Sequence, residues 1–268
     1  MQHRSIGYRL WKHLNKKYGG SNDVSVTENI ISVGGGATDD CQIDNDEVSV
    51  TENTIAKIEE NENACSGYQI NGKNNHIIVV ENGIERELGQ NERIDGLNIR
   101  ICGNNNIIKI TLGTFFCASI DISSDENYVS IGKLSRALFE LGFWVGGKQK
   151  FIWDDGIGSL RHARFFMCQQ GSSIHIHKDC LLSDVTIWSS DAHCIFDGNN
   201  NRLNAESSHV EIGEHSWLAA ETFLTKNAVL PPNTIVGACA VVSKKFTEEF
   251  TCLAGNPAKI IKKGIHWS

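Results

Sequence analysis

The chain has 268 residues, of which 40% are hydrophobic and 21% charged, and its formal net charge is −7. These proportions are ordinary for a folded domain, and the acidic balance excludes a general nucleic-acid binder, whose surface would be basic. No apolar run in the sequence approaches the length of a membrane-spanning helix. We therefore expect a folded protein with no transmembrane segment and no nucleic-acid partner.

The first element is a predicted helical cap, residues 1–20. Four apolar residues fall on one side of a helix over residues 5–18, with basic residues on the other side: Ile6, Leu10, Trp11 and Leu14. We interpret it as a cap on the end of a repeat structure, and contact with an anionic membrane surface is the alternative. It lacks the continuous apolar core of a signal peptide, so we predict a cytoplasmic protein. The nine cysteines, with no CxxC pair, are predicted to be reduced and mostly buried.

Residues 21–135 are predicted to form irregular, Asn-rich coils of a β-structure. Short sequences recur: VSVTEN at 24–29 and 48–53, GKNNHIIV at 72–79 with GNNNIIKI at 103–110, and Gly-Asn-Asn-Asn at 198–201. Short β-branched runs between Asn and Gly turns are typical of strands. Recurring copies favour a stacked repeat architecture over a globular sandwich.

A sharper repeat begins at Ile212, from which an aliphatic residue returns at every sixth position: Ile212, Leu218, Leu224, Leu230, Val236 and Val242. A small residue stands four positions after each of the first five: Ser216, Thr222, Ala228, Thr234 and Ala240. The position after each small residue is large and apolar. Period six fits neither a helix nor an alternating strand, so each unit predicts a short strand and a corner, with the aliphatic residue inside.

The same rule is expected in a shorter stretch, with Ile176, Leu182 and Trp188 as the interior residues and Cys180 and Thr186 as the small ones. It resumes on both sides of residues 189–211, which are therefore predicted to form a loop. Residues 136–253 are taken as the repeat domain and 254–268 as a C-terminal tail. The aromatic-rich segment 134–170 is either an acceptor-binding insertion or a bulky coil.

Three stretches carry a resemblance: DCLLSDVTIWSSDAHCIFD at 179–197, RLNAESSHVEIGEHSWLAAETFLTKNAVLPPNTIVGACAVVSKKF at 202–246, and AGNPAKIIKKGIHWS at 254–268. In them the chain resembles the hexapeptide-repeat acyltransferases, and among these the capsule and O-antigen polysaccharide O-acetyltransferases. The resemblance implies an all-β, left-handed parallel β-helix that assembles as a homotrimer. It also implies acetyl-CoA in a groove between neighbouring prisms, a carbohydrate acceptor and no required metal.

The resemblance makes His193, in the SSDAH segment, the catalytic base. Transfer to a sugar hydroxyl needs such a base, because an alcohol is a poor nucleophile at neutral pH, and an imidazole suits the role. Asp191 lies two residues earlier and faces the same side in an extended segment, so it could orient the ring.

By the same resemblance, Lys244 and Lys259 are candidates for contacts with the phosphates of acetyl-CoA, and Trp217 lies beside the catalytic pocket. The pantetheine groove would be lined by Ala219, Ala220, Ala238 and Ser243. The remaining candidates for contact with a substrate carry no individual role: Arg161, His162, His175, His177 and His215.

The predicted function is acetyl-CoA-dependent O-acetylation of a bacterial surface polysaccharide or its precursor. One alternative is a zinc hydrolyase like the γ-class carbonic anhydrases, with His175, His177 and His193 as metal ligands. The other is a non-catalytic solenoid for binding or scaffolding, which the VSVTEN copies would suit.

Overall fold

The computed structural model describes residues 67–204 and 207–268, and this part of the chain is built from strands, turns and loops. The predicted helical cap and both VSVTEN copies lie outside the described residues. No helix in the described part is long or apolar enough to cross a membrane. The strands, in chain order, are β1 Tyr68–Asn71, β2 His76–Glu81, β3 Ile84–Glu87, β4 Leu97–Cys102, β5 Ile107–Thr111, β6 Phe115–Ile122, β7 Tyr128–Ile131, β8 Leu134–Phe143, β9 Lys150–Trp153, β10 Gly156–Ser159, β11 Ala163–Met167, β12 Ser173–Ile176, β13 Leu181–Leu182, β14 Thr186–Trp188, β15 His209–Ile212, β16 Trp217–Leu218, β17 Phe223–Leu224, β18 Val229–Leu230, β19 Ile235–Val236, β20 Val241–Val242, β21 Thr251–Ala254 and β22 Lys259–Lys263.

The strands stack into a prism with three faces. The first part of β8 pairs with β10 and its last part with β11, so one 14-stranded sheet bends into two faces. Face 1 continues from β10 through β13, β16, β19 and β21 to β22, and face 2 runs from β11 through β14 and β17 to β20. Face 3 is the 8-stranded sheet β3-β2-β5-β7-β9-β12-β15-β18. All strand pairs among these elements are parallel except β2 with β3 and β21 with β22.

The period of six residues corresponds to one face of the prism. Trp217 pairs with Ile235 and Phe223 pairs with Val241, so each position meets the residue three units later. The six aliphatic residues from Ile212 to Val242 are all buried. In each two-residue strand the second residue is this aliphatic one, and the first, which is large and apolar, faces outward. The predicted interior therefore holds throughout this stretch.

The corners of the prism depend on a left-handed backbone conformation, with positive φ, that the sequence repeat does not reveal. The residue before each small residue has φ between 55° and 61°: His215, Glu221, Asn227, Asn233 and Cys239. Only two of these are Asn, the non-glycine residue that tolerates this region best. The N–H of Glu221 bonds to the carbonyl of Asp184, and the N–H of Cys239 to that of Ala220, so contacts with the coil below hold the unfavourable conformation in place.

The expected continuation of the rule at Trp188 is wrong by one residue. Ile187 is buried and Trp188 is partly exposed, while Thr186 points outward beside Arg164. The corner at Asp184, with φ 54°, comes five residues after the corner at Asp179 rather than six. Because side chains alternate along a strand, this single missing residue moves the following side chains to the opposite side.

The Asn-rich repeats form a ladder inside one edge of the prism. The Oδ1 atom of Asn75 accepts the N–H of Asn106 at 3.0 Å, and the Oδ1 atom of Asn106 accepts the N–H of Asn127 at 2.9 Å. The Oδ1 atom of Asn127 accepts the N–H of Gln149 at 3.1 Å. Asn106, Asn127 and Gln149 are at most 1% exposed, so the ladder provides the hydrogen bonds that buried polar groups require.

The aromatic segment 134–170 is mostly a bulky coil. Its largest side chains fill the interior: Phe139, Phe143, Phe151, Trp153 and Phe165. Trp144, in contrast, is 42% exposed. The prediction of mostly buried thiols is wrong among the described cysteines, which are all free. Four of them are exposed: Cys102, Cys117, Cys194 and Cys239.

One loop interrupts the stack between β14 and β15. It begins at Ser189, and β15 starts at His209, inside the predicted range of 189–211. The predicted domain boundary at residue 135 falls within β8. This strand pairs with β6, which precedes the boundary in the chain, and with β10, which follows it. The third Gly-Asn-Asn-Asn copy lies in the loop rather than in the ladder, and there Asp197 accepts the N–H groups of Asn199 and Asn201 at 2.9 and 2.8 Å.

Candidate functional site

The loop between β14 and β15 forms a pocket at the corner between faces 2 and 3. Its volume is about 300 Å³. The lining residues come from the loop and from two coils of the prism: Val145, Gly146, Cys168, Gln169, Gln170, Asp191, Ala192, His193, Cys194, Arg202 and Asn204. The structure thus brings the two predicted catalytic residues, His193 and Asp191, into one cavity. His193 is exposed, and its imidazole makes no hydrogen bond to any described residue, so both ring nitrogens are available to a substrate.

Asp191 contacts a lysine and an asparagine instead of the imidazole. Its carboxylate forms an ion pair with Lys226 and accepts a hydrogen bond from the Nδ2 atom of Asn204 at 2.9 Å. Asn204 also donates to the carbonyl of His193 at 2.7 Å and accepts from the N–H of Ile195 at 2.9 Å. The side chain of Asn204, which is 8% exposed, therefore holds the backbone of His193 in place.

The surroundings of Asp191 keep it ionised. Burial by itself would raise its pKa, but the hydrogen bonds from Lys226 and Asn204 outweigh that effect, so the pKa lies below the usual 3.8. Because the folded-state pKa is depressed, the stabilisation is complete above the unfolded pKa and is lost as the pH falls through the folded value. The attachment of the loop should thus be constant at neutral pH.

Replacement of Lys226 by methionine should loosen this loop. The partly buried carboxylate of Asp191 then loses its cation, and trypsin should cleave after the exposed Arg202 several times faster than in the wild type at pH 8. The rate of cleavage, followed by mass spectrometry, is the measurement. Lys148→Met is the control, because that lysine belongs to an exposed ion pair with Glu126. Equal cleavage rates in all three proteins would show that the ion pair does not hold the loop.

The two lysines predicted to contact phosphates line one cleft at the C-terminal end of the prism. Lys244 and Lys259 enclose about 290 Å³ together with Lys245, Phe246, Thr247, Glu248 and Ile260. The Nζ atom of Lys244 lies 5.2 Å from the centre of the Phe246 ring, which is buried and orients the lysine. Three exposed ammonium groups and the one carboxylate of Glu248 line this cleft, so it carries a positive charge in an otherwise acidic protein.

Trp217 and His215 contact the C-terminal tail. The ring of Trp267 stacks on His215 with centroids 4.5 Å apart and an interplanar angle of 8°. The Nε1 atom of Trp267 donates to the carbonyl of His215 at 2.8 Å, and the Trp217 ring lies 6.3 Å from Trp267. The tail thus covers this part of face 1. The role of Trp217 beside a catalytic pocket stays a prediction.

The remaining predicted groove residues lie at or near corners of the prism. Ala219 and Ala220 follow β16 at the corner between faces 1 and 2, and Ala238 stands at the same corner one coil later. Ser243 follows β20 and is exposed. None of the four lines either cavity described above. Their contact with pantetheine stays a prediction.

The histidine set of the zinc-hydrolyase alternative is not assembled in the described chain. His175 and His177 lie on face 3 beside Asp154, whereas His193 belongs to the pocket of the loop. Of the other candidates, His162 pairs with Glu140 at 3.2 Å and Arg161 is exposed outside both cavities. The arrangement therefore does not favour a three-histidine metal centre around His193.

Sequence reasoning missed Lys226 and Asn204, although they position the loop. Lys226 occupies a position of the hexapeptide repeat that carries no pattern of its own. Asn204 lies in an irregular segment with several other asparagines. No sequence signal pointed to either residue, because the spacing of Asp191 and His193 suggested the imidazole as the partner of the carboxylate. Contacts of this kind arise from the fold of the loop, which no period describes.

No protein-family model matches the chain. The chain is 27% identical, over 142 residues, to the polysialic acid O-acetyltransferase of Escherichia coli O1:K1 / APEC. That match covers 53% of this chain and 45% of the relative, so it spans less than half of the relative's length. The crystal structure of the polySia specific acetyltransferase NeuO matches with a TM-score of 0.60 at 21% identity, covering 76% of this chain and 89% of that chain. The polysialic acid O-acetyltransferase OatWY gives a TM-score of 0.44 at 24% identity, covering 75% and 91%.

The likeness to NeuO confirms the fold as the left-handed parallel β-helix that the resemblance implied. The chain resembles the hexapeptide-repeat acetyltransferases, as its sequence motifs predicted. Among them it is similar to a polysialic acid O-acetyltransferase.

Proposed function

We propose that this protein transfers an acetyl group from acetyl-CoA to a hydroxyl group of a capsule-type polysaccharide or its precursor, with a sialic acid polymer as the first candidate acceptor. The observation that carries the proposal is the exposed imidazole of His193, which makes no hydrogen bond to a described residue, in a pocket of a β-helix similar to NeuO. The sialic acid acceptor follows from the activity of the curated relative. A cytoplasmic location belongs to the same proposal, since acetyl-CoA is the donor.

The chemistry requires one base and one leaving group. A ring nitrogen of His193 removes the proton of the sugar hydroxyl while the hydroxyl oxygen attacks the carbonyl carbon of the thioester. The carbon–sulfur bond then breaks, and the CoA thiolate takes the proton from the imidazolium. The products are an acetyl ester and free CoA, and the ring is neutral again. Asn204 supports this role, because its bond to the carbonyl of His193 fixes the base relative to the pocket.

The lysine cleft is the proposed binding site for the phosphates of acetyl-CoA. Lys244, Lys245 and Lys259 supply positive charge without an ion-pair partner among the described residues. The cleft and the His193 pocket are separate cavities of one chain. We therefore include in the proposal a homotrimer in which the donor lies in a groove between neighbouring prisms.

Removal of two of these charges, in the variant Lys244→Ala/Lys259→Ala, should raise the KM for acetyl-CoA about 10–30-fold, because each contact with a phosphate contributes about 1 kcal/mol. The kcat should change little, since the phosphates are remote from the thioester. Steady-state kinetics at two salt concentrations measure both constants, and the wild-type KM should rise with salt. The double variant Lys133→Ala/Lys262→Ala removes two exposed lysines outside the cleft and should leave the KM unchanged. A KM that is the same in both variants would contradict the proposed phosphate site.

An aromatic cluster beside the pocket supports a sugar acceptor. The rings of Trp144, Phe166 and Trp188 lie on the outside of face 2 with centroids 5.0 to 5.8 Å apart. Trp144 directly precedes Val145, which lines the pocket, and is 42% exposed. The exposed face of the Trp144 ring can pack against the apolar face of a sugar ring, with the tilted rings of Phe166 and Trp188 behind it.

The test of the proposal is release of CoA thiol from acetyl-CoA in the presence of oligosialic acid. A thiol reagent follows the release, and mass spectrometry identifies the acetylated sugar. Controls omit the acceptor or replace it with a neutral glucan, and sedimentation of the same preparation gives the oligomeric state. Thiol release that does not depend on any sugar, together with no binding of CoA, would overturn the proposed function.

A further inference from the structure

A second group of ionisable side chains lies on the outer surface of face 3, away from the residues that line the His193 pocket. His175 lies on β12 and His177 directly follows this strand, two residues later, so their rings project from the same side and stack with centroids 3.9 Å apart. Asp154 follows β9, the neighbouring strand, and its N–H bonds to the carbonyl of Ile176. We call Asp154, His175 and His177 the face-3 cluster.

The ligand atoms of the face-3 cluster are close to the spacing of a metal site. The Oδ2 atom of Asp154 lies 3.1 Å from the Nε2 atom of His175 and 3.7 Å from the Nδ1 atom of His177. Ligands at about 2.0–2.2 Å from a tetrahedral zinc ion are about 3.3–3.5 Å apart, so these two distances bracket that value. All three ligand atoms lie within 4.8 Å of one another.

The other nitrogen of His177 has the partner that metal-bound histidines require. Its Nε2 atom lies 2.9 Å from the Oε1 atom of Glu211 on β15. A carboxylate in this position fixes the tautomer that leaves Nδ1 free for a metal ion. Glu211 is itself held by His209 at 3.3 Å, and His209 by the hydroxyl of Ser173 at 2.6 Å.

A divalent cation suits this group of side chains, because imidazole nitrogens and a carboxylate oxygen are common ligands of such ions. The three side chains are 27–32% exposed, so an ion from solvent can reach them. Imidazole and carboxylate ligands favour Zn²⁺ and its neighbours in the first transition row over Mg²⁺ or Ca²⁺.

We propose that Asp154, His175 and His177 form a binding site for one divalent transition-metal ion of the Zn²⁺ class, with Glu211 as the outer hydrogen-bond partner of His177. The fourth position is open to water or to a ligand from outside the chain. The site is independent of the proposed acetyl transfer, because it contains neither His193 nor the lysine cleft.

The test is a titration of the complete, chelator-treated protein with ZnCl₂ by calorimetry, with metal content measured after dialysis. We expect the wild type to bind one zinc ion per chain. The variant Asp154→Asn/His177→Ala should lose this binding. Glu211→Gln should weaken binding about 10–100-fold while keeping the ligands. His76→Ala is the matched control, because His76 also pairs with a carboxylate, that of Glu87 at 3.0 Å, but lies outside the cluster.

Exposed cysteines are the competing ligands, and Co²⁺ distinguishes them from the face-3 cluster. A cobalt-loaded protein should show ligand-field absorption without a thiolate-to-cobalt charge-transfer band. Equal zinc binding by the wild type and by Asp154→Asn/His177→Ala would overturn the proposal, and so would a thiolate band that accounts for all the bound cobalt. Thermal unfolding of the metal-free variants should match that of the metal-free wild type, since the side chains lie on the surface.

Discussion

Replacement of His193 by alanine should lower the rate of acetyl transfer by about 10²–10⁴-fold, the usual contribution of a general base. The acceptor hydroxyl then has no group to take its proton, while both substrates still bind. The thiol-release assay at saturating acetyl-CoA measures the loss. Because His193 is exposed and its ring has no hydrogen bond to a described residue, the melting temperature should not change.

His76→Ala is the matched control for this variant, since it removes another exposed histidine without touching the pocket. Activity within a factor of about two of the wild type is expected there. Near-normal transfer by His193→Ala would remove this residue from the mechanism. The use of acetyl-CoA as the donor would then still be tested by the KM of the Lys244→Ala/Lys259→Ala variant.

Replacement of Asn127 by alanine should destabilise the β-helix by about 2–4 kcal/mol. The N–H of Gln149 loses its acceptor, and the Oδ1 atom of Asn106 loses the side-chain donor that binds at 2.9 Å. The N–H of Gln149 then stays buried without an acceptor, at a cost of about 1–3 kcal/mol. The Oδ1 atom of Asn106 keeps the backbone N–H of residue 127 but loses a second hydrogen bond, which adds about 1 kcal/mol. In thermal unfolding this corresponds to a decrease in Tm of about 5–15 °C.

Asn199→Ala, in the exposed turn of the loop, is the control for the ladder variant and should not shift the Tm. Activity should persist in Asn127→Ala below its melting temperature, because the ladder lies outside both cavities. A Tm equal to that of the wild type would mean that the ladder contributes no net stability. It would also mean that the stacked backbones alone hold these coils together.

The period of six residues was sufficient to predict the interior of the C-terminal coils. Burial of an aliphatic side chain at each return of the unit is a local requirement, because every unit contributes one strand to one face. The rule was wrong at Trp188, where a corner with one residue fewer reverses the direction of the side chains. That exception depends on a backbone conformation at Asp184 that residue type does not specify.

The residues of the loop motif and the lysine of the tail could also be predicted from local sequence. The SSDAH segment and the AGNPAK tail are local sequences, so a resemblance could identify Asp191, His193 and Lys259 as candidates without coordinates. The structure then placed Lys259 beside Lys244 in one cleft. It also gave Asp191 different partners, Lys226 and Asn204, from the imidazole that its spacing had suggested.

The sequence by itself determined the repeat architecture, the buried positions of the hexapeptide units and the residues from which a transferase site could be built. Only the tertiary structure decided which of those side chains meet. Asp154, His175 and Glu211 come from three separate coils and become neighbours through parallel stacking. The physical reason is that periodic burial is encoded within each unit, whereas lateral contacts depend on the number of residues in every coil and loop between them.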